Sequence, residues 1–190
     1  MPLDSESRWR LVRKLKASQQ PPVSNEVTIR DATASDLSEI LEIYNYYIRN
    51  SVVTFDLDNM TLANWQEKFE WIQSLELPFL VAQSGGGQVL GFAYVAPWRQ
   101  KAAFRRTVED SIYLRPAAIG KRVGTKLLDE LINRAKAVGV KEIVAVISDK
   151  GAESSIQLHE TFGFKHQGHL AKVGFKFGRW LGTILMQKSL

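Results

Sequence analysis

The sequence predicts a mixed α/β (α+β) domain, with a mostly antiparallel sheet of about seven strands flanked by about four helices. Two observations predict it. Short strand-length runs are interleaved with segments whose apolar residues recur at helical spacing, and three strand-like runs follow one another between 78 and 114 with no helix between them. The chain of 190 residues with 45% hydrophobic content is long enough to bury one core and too short to expect two.

The elements follow in order. Glu26 to Arg30 alternates into a short strand, and Ala34-Ser35-Asp36 opens an apolar-periodic helix from Leu37 to Ile48. A second helix follows Thr61, with Leu62, Trp65, Phe69 and Ile72 at helical spacing and Trp71 off that stripe. Strands at about 78 to 83, 88 to 96 and 106 to 114 form a meander, the first two joined by a turn at Gly85-Gly86-Gly87. Pro116 ends the third strand, and Gly120 and Gly124 lead into the clearest helix, with Val123, Leu127, Leu128, Leu131 and Ile132 on one stripe. A compact strand from Glu142 to Ile147, a short helix from Ser154 to Phe162 and a final pair of strands reaching Leu190 complete the domain.

Composition excludes several chemistries. With no cysteine there is no disulfide, no thiolate metal site and no cysteinyl acyl-enzyme, and a cytoplasmic location is expected. No apolar run approaches the roughly 18 residues that span a bilayer, so no membrane partner is expected. The net charge is +5, but residues 1–25 carry +3 of it through Arg8, Arg10, Arg13, Lys14 and Lys16 against Asp4 and Glu6. That segment reads as a basic, flexible arm preceding a domain over 26–190. It is either a solvated tail or a basic amphipathic helix for a membrane, a nucleic acid or another subunit, and the nearly balanced body gives no reason to expect nucleic acid on the domain itself. His159, His166 and His169 form no convincing ligand set, so no metal is expected.

The segment from Leu114 to Leu128 places a strand, a glycine-containing turn and a helix start together, where unsatisfied N–H groups and the helix dipole favour phosphate. Lys121 and Arg122 add positive charge there. Gly120 and Gly124 could equally serve helix capping and close packing. In the strand before this turn, Val108, Asp110, Ile112 and Leu114 share one face and Glu109, Ser111 and Tyr113 the other. Glu109 is either a solvated strand glutamate or a carboxylate suited to take a proton from an amine.

The turn resembles the acetyl-CoA loop of the GNAT superfamily, whose usual form is Gln/Arg-x-x-Gly-x-Gly/Ala. The blocks Tyr44 to Asp56, Ala96-Pro-Trp-Arg99, Thr107-Val-Glu109, Leu158-His-Glu160 with Gly163-Phe164, and Gly174 to Trp180 resemble its phosphinothricin acetyltransferase-like branch, in consistent order from Val27 to Leu190. The resemblance implies the GNAT fold, acetyl-CoA as co-substrate, and direct transfer of acetyl to the amino group of a small amino acid or analogue. It implies Glu109 as catalytic base and His159 as a proton donor or an orienting group. It assigns the cofactor to Ile112, Tyr113, Leu114, Gly120, Lys121, Arg122, Val123, Gly124, Thr125, Ala152 and Ser155. Substrate contacts fall on Phe55, Trp98, Arg99, Phe104 and Arg106, and a homodimer is the expected assembly.

The match departs from the family pattern at the cofactor site. Ile119 stands where glutamine or arginine is usual, Arg122 replaces the middle glycine, and Ala152 replaces a common asparagine. Phe104 stands where tyrosine is frequent and Gly182 where aspartate is. A side chain at 122 disfavours the backbone conformation a glycine would supply, which points to weakened CoA affinity or a different acyl donor. The alternative expectation is therefore a degenerate domain that binds acetyl-CoA poorly and acts as a ligand sensor or interaction protein.

Overall fold

The structure, a computed structural model, describes residues 26–190. The basic arm expected over 1–25 lies outside them. Strand β1 (Val27–Asp31) passes through a single 3-10 turn into helix α1 (Leu37–Asn50). Asp36 fixes this junction: its carboxylate accepts from the Thr33 N–H at 2.8 Å and pairs with both Arg30 Nη atoms at 2.7 and 2.8 Å. The Arg30 guanidinium holds the Asp36 carboxyl below its ordinary value, against the opposing pull of burial. Helix α2 (Leu62–Ser74) starts on a reciprocal cap, in which Thr61 Oγ1 accepts from the Asn64 N–H and Asn64 Oδ1 accepts from the Thr61 N–H. Trp65, Phe69 and Ile72 turn inward, and Trp71, off the stripe, is exposed.

The meander is β2 (Phe79–Ser84), β3 (Val89–Pro97) and β4 (Thr107–Leu114). Helix α3 (Val123–Ala137), strand β5 (Glu142–Ser148), helix α4 (Glu153–Thr161) and the hairpin of β6 (Lys165–Lys176) and β7 (Arg179–Ser189) follow. All seven strands join one sheet in the order β1-β2-β3-β4-β5-β7-β6. Every neighbouring pair is antiparallel except β4 with β5.

That exception shapes the molecule. β4 and β5 pair in parallel only where Thr107 to Glu109 lie beside Glu142 to Val144. Beyond this, β4 stays with β3 through Leu114 while β5 stays with β7 through Ser148, so the two halves of the sheet separate. α1 anchors the far end of β4: Tyr47 Oη donates to the Leu114 carbonyl at 2.7 Å, and Arg115 pairs with Glu39 and Glu42 at 2.9 and 2.7 Å.

Each face of the sheet has its own core, as expected for helices covering both sides. Against α1 and α2, the fully buried Trp65 meets the rings of Tyr44, Phe79, Phe92 and Tyr94 at centroid distances of 5.3 to 6.2 Å, all edge-on. Against α3, the stripe Val123, Leu127, Leu128 and Leu131 packs on Leu80, Ala82, Val95, Val108 and Ile143. Trp65→Ala empties the centre of the aromatic cluster and is expected to cost about 3–5 kcal/mol of unfolding free energy, read from the shift of the urea midpoint at constant slope.

Candidate active site

Where β4 and β5 part, the sheet opens into a cavity of about 470 Å³. One wall is the edge of β4 from Glu109 to Leu114, and the other is Ala145 to Ser148 of β5 with Gly151, Ala152, Ser154, Ser155, Leu158 and His159 around α4. Its far end is closed by Ile119, Gly120 and Arg122 and by the first residues of α3, Val123, Gly124 and Thr125. Beyond Glu109 the β4 edge has no strand partner on this side, so the backbone there is left for something other than the sheet.

The turn into α3 is built on two left-handed residues. Gly120 has φ +76, and Arg122, the residue before the helix, has φ 60 and ψ 13. Arg122 therefore adopts the conformation that a glycine would supply, and the turn keeps its shape at a cost of about 1–2 kcal/mol. The first helical hydrogen bond runs from the Lys126 N–H to the Arg122 carbonyl. The N–H groups of Val123, Gly124 and Thr125 thus stand at the positive end of the helix dipole, beside the cavity they line. Gly124 fits closely here, since a Cβ would lie 3.4 Å from Leu158 Cδ2 and 3.5 Å from Leu114 Cδ1.

Glu109 sits at the vertex of the opening, in the last pair that β4 makes with β5. Burial, then the charge of Asp110, raise its carboxyl above the ordinary value of 4.5, and Lys68 opposes them. Asp110 points to the other face of β4, where its Oδ2 lies 2.9 Å from His159 Nε2. The second nitrogen of that ring, Nδ1, lies 2.7 Å from the Ser155 carbonyl. Both side chains are almost wholly buried, at 2% exposure each.

Residues 29–185 match the acetyltransferase (GNAT) domain. The chain belongs to the GNAT acetyltransferase family. An L-methionine sulfoximine/L-methionine sulfone acetyltransferase of Pseudomonas aeruginosa is 42% identical over 86% of this chain and 94% of its own length. A phosphinothricin N-acetyltransferase of Alcaligenes faecalis is 37% identical over 86% of this chain and 82% of its own. Among solved structures, a GNAT superfamily phosphinothricin acetyltransferase from Sinorhizobium meliloti, in complex with acetyl-CoA, superposes with a TM-score of 0.83 at 44% identity, covering 86% of this chain and 88% of that one.

The co-substrate of these GNAT relatives can be tested against the residues present. Acetyl-CoA presents a pyrophosphate, for which the α3 turn offers three N–H groups beside Lys121 and Arg122. It presents a long amide-bearing arm, for which the unpaired β4 edge at Ile112, Tyr113 and Leu114 offers strand-like backbone. The residues fit. The departures from the family pattern do not block the cavity: Ile119 is half-exposed at its rim, and Ala152 is buried as the residue before α4.

The acceptor side of this GNAT fold is less fully assembled. Phe55 packs on the hairpin, where a Cβ at Gly174 would come within 2.5 Å of its ring, and its neighbour Val53 reaches the cavity. Trp98 stacks on Arg99 at 5.2 Å, and neither lines the cavity. Phe104 lies in the 3-10 turn before β4, and Arg106, exposed, holds the start of β5 through its carbonyl, which accepts from the Lys141 and Glu142 N–H groups. These two also stand outside the cavity.

Sequence reasoning missed three features. It did not single out Asp110, whose partner is 49 residues away. It did not separate Lys176 from its exposed neighbours, although its buried ammonium donates to the Thr54 carbonyl at 2.8 Å and ties the hairpin to the loop before α2. Nor did it find Tyr44, which donates to Asp56 Oδ2 at 2.6 Å from under the Tyr113 ring. Asp110 alone carried a usable signal, as an ionisable residue on the core-facing side of an alternating strand.

His166 and His169 each face a single carboxylate, Glu160 at 2.9 Å and Asp149 at 3.0 Å. Among the described residues no group of three ligand-type side chains could hold a metal, and no helix is long and apolar enough to cross a membrane.

Because Arg122 holds a left-handed conformation, Arg122→Gly is expected to raise the unfolding free energy by about 1 kcal/mol, less whatever glycine adds to unfolded-chain entropy. Thermal denaturation compared with Arg122→Ala, which keeps the strain and loses the charge, reads this directly.

Proposed function

We propose that this chain transfers acetyl from acetyl-CoA to the amino group of a small amino acid or amino-acid analogue, with Glu109 as the general base. The observation that carries the reading is the raised Glu109 carboxyl at the vertex where β4 and β5 separate, next to a cavity suited to the cofactor. The substrate class follows from the relatives, whose named substrates are methionine sulfoximine, methionine sulfone and phosphinothricin.

When bound, acetyl-CoA supplies the acetyl group as a thioester. The chain's own part begins with the amine, which is an ammonium near neutral pH, with a pKa of about 8 for an α-amino group. In its ionised form Glu109, more basic than an ordinary carboxylate, takes the proton directly or through one water, leaving a neutral nucleophile. Backbone N–H groups on the open edge of β4, those of Ile112 and Leu114, serve as fixed donors beside the reacting carbonyl, while the Tyr113 N–H points into the β3 ladder. The pyrophosphate is held by Gly120, Val123, Gly124 and Thr125 with Lys121 and Arg122, and Ala152 and Ser155 close the opposite wall. Phe55, Trp98 and Phe104 are the candidates for the acceptor wall, and Arg99 or Arg106 for the cation that meets the substrate carboxylate.

A homodimer is part of the same proposal. β6 is a sheet edge whose residues are nearly all exposed, and Leu170, Val173, Phe175, Phe177 and Trp180 put large apolar surface on the same hairpin. An open edge of this length invites a second strand, and a second copy on a two-fold axis would cover it. Trp180→Glu with Phe175→Glu is expected to convert a dimer to a monomer in analytical ultracentrifugation, and an unchanged sedimentation coefficient would exclude this hairpin as the interface.

The decisive assay is thiol release over a panel of amino acids and analogues, beside calorimetry of acetyl-CoA binding. Glu109→Gln is expected to lower kcat by about 10²-fold or more while acetyl-CoA still binds. The pH profile carries a second expectation. Since the carboxyl is raised and its ionised form is the active one, kcat/KM should climb with pH through a midpoint above 4.5, and this limb should vanish in Glu109→Gln. Binding without any transfer to any amine would overturn the proposal.

A further inference from the structure

Asp110 and His159 form a buried pair that the proposed chemistry leaves unused. The ring of His159 is committed at both nitrogens. A carbonyl oxygen can only accept, so Nδ1, 2.7 Å from the Ser155 carbonyl, carries a hydrogen. Nε2, 2.9 Å from Asp110 Oδ2, then shares one proton with a carboxylate and has no lone pair or N–H directed elsewhere. Phe164 also meets the ring edge-on at 4.8 Å, and the Ser155 hydroxyl lies 3.5 Å from Nδ1. The other carboxylate oxygen, Asp110 Oδ1, is buried and meets no hydrogen-bond donor among the described residues. Among the described residues, the imidazole is therefore the one hydrogen-bond partner of this carboxylate.

We propose that Asp110 is a positioning residue for acetyl transfer, holding His159 and through it the first turn of α4 as the fixed wall of the cofactor cavity. The inference rests on the acetyl-CoA reading of that cavity. The geometry gives the reason: Asp110 belongs to one wall, His159 and Ser155 belong to the other, and no β4–β5 hydrogen bonds join those walls beyond Glu109. The hydrogen-bonded chain from Asp110 through the ring to Ser155 supplies the missing connection. It also makes His159 an orienting group, because its Nε2 proton points at Asp110. Burial pulls the imidazole down, but the Asp110 charge and hydrogen bond with the Ser155 carbonyl outweigh it, so it is held above its ordinary value of 6.5.

The test uses the full chain and two readouts. In long-range ¹H–¹⁵N spectra of the wild type, His159 should keep its second proton to higher pH than a free imidazole, while in Asp110→Asn it should lose that proton at lower pH than in the wild type and remain protonated at Nδ1. Asparagine can still donate to Nε2, so acetyl-CoA affinity by calorimetry should fall by no more than about threefold in Asp110→Asn and by about tenfold or more in Asp110→Ala. Rescue by asparagine separates positioning from charge.

A wild-type His159 that titrates like a free imidazole would overturn the proposal, as would a folded Asp110→Ala protein with unchanged affinity. If Asp110→Ala does not fold, the wild-type titration and Asp110→Asn decide alone. If the wild type binds no acetyl-CoA, the functional reading fails separately, and the spectra still show whether the pair exists.

Discussion

The whole site depends on a parallel pairing that is allowed to fail. β4 and β5 share register for three residues and then follow different partners, β3 on one side and β7 on the other. Hydrogen-bonded backbone is surrendered along the rest of both strands, a cost that a closed sheet would not carry. What replaces the ladder is a cavity whose walls are strand edges. The start of α3 lies at the same opening, so a helix dipole, an unpaired strand edge and a carboxylate come together without any long loop.

An aromatic cluster covers the face of β4 that also carries that carboxylate. Tyr44, Tyr47, Tyr94 and Tyr113 surround the strand with large, weakly hydrated rings, and Tyr44 with Thr54 and Asp56 forms a polar seam under them. Burial raises the Tyr44 phenol above its usual range, so within this seam Tyr44 stays the donor and Asp56 the acceptor. The loop bearing Thr54 and Phe55 is held from the other side by Lys176 and Gly174 of the hairpin. The position of this segment thus depends on the C-terminal strands.

Much of this was legible in the sequence because it is local. The stripe Val123, Leu127, Leu128, Leu131 gave α3, and Leu62, Trp65, Phe69 and Ile72 after Thr61 gave α2, each through a pattern spanning a few residues. The alternation in β4 separated Glu109 from Asp110. The parallel pairing was not legible, because strand periodicity is the same for either direction and only the crossover through α3 decides it. Nor could the sequence settle Arg122: propensity argues against a left-handed arginine, and the surrounding turn overrides it. Asp110, Lys176 and Tyr44 escaped notice for a common reason. Each is polar and buried, and each bonds to a residue or backbone group brought near only by the tertiary fold.

The alternation of β4 has a further consequence, for how this chain can change over time. Glu109 and Asp110 are consecutive, and the pleat alone sends one toward the aromatic layer and the other toward α4. Deleting or inserting a single residue between Thr107 and Glu109 would exchange the two carboxylates, placing each beside the other's neighbours. The seven-residue register with β3 guards against such a slip. A change of length is therefore less disruptive in the exposed stretch before Thr107 than within β4, where it would reverse the faces.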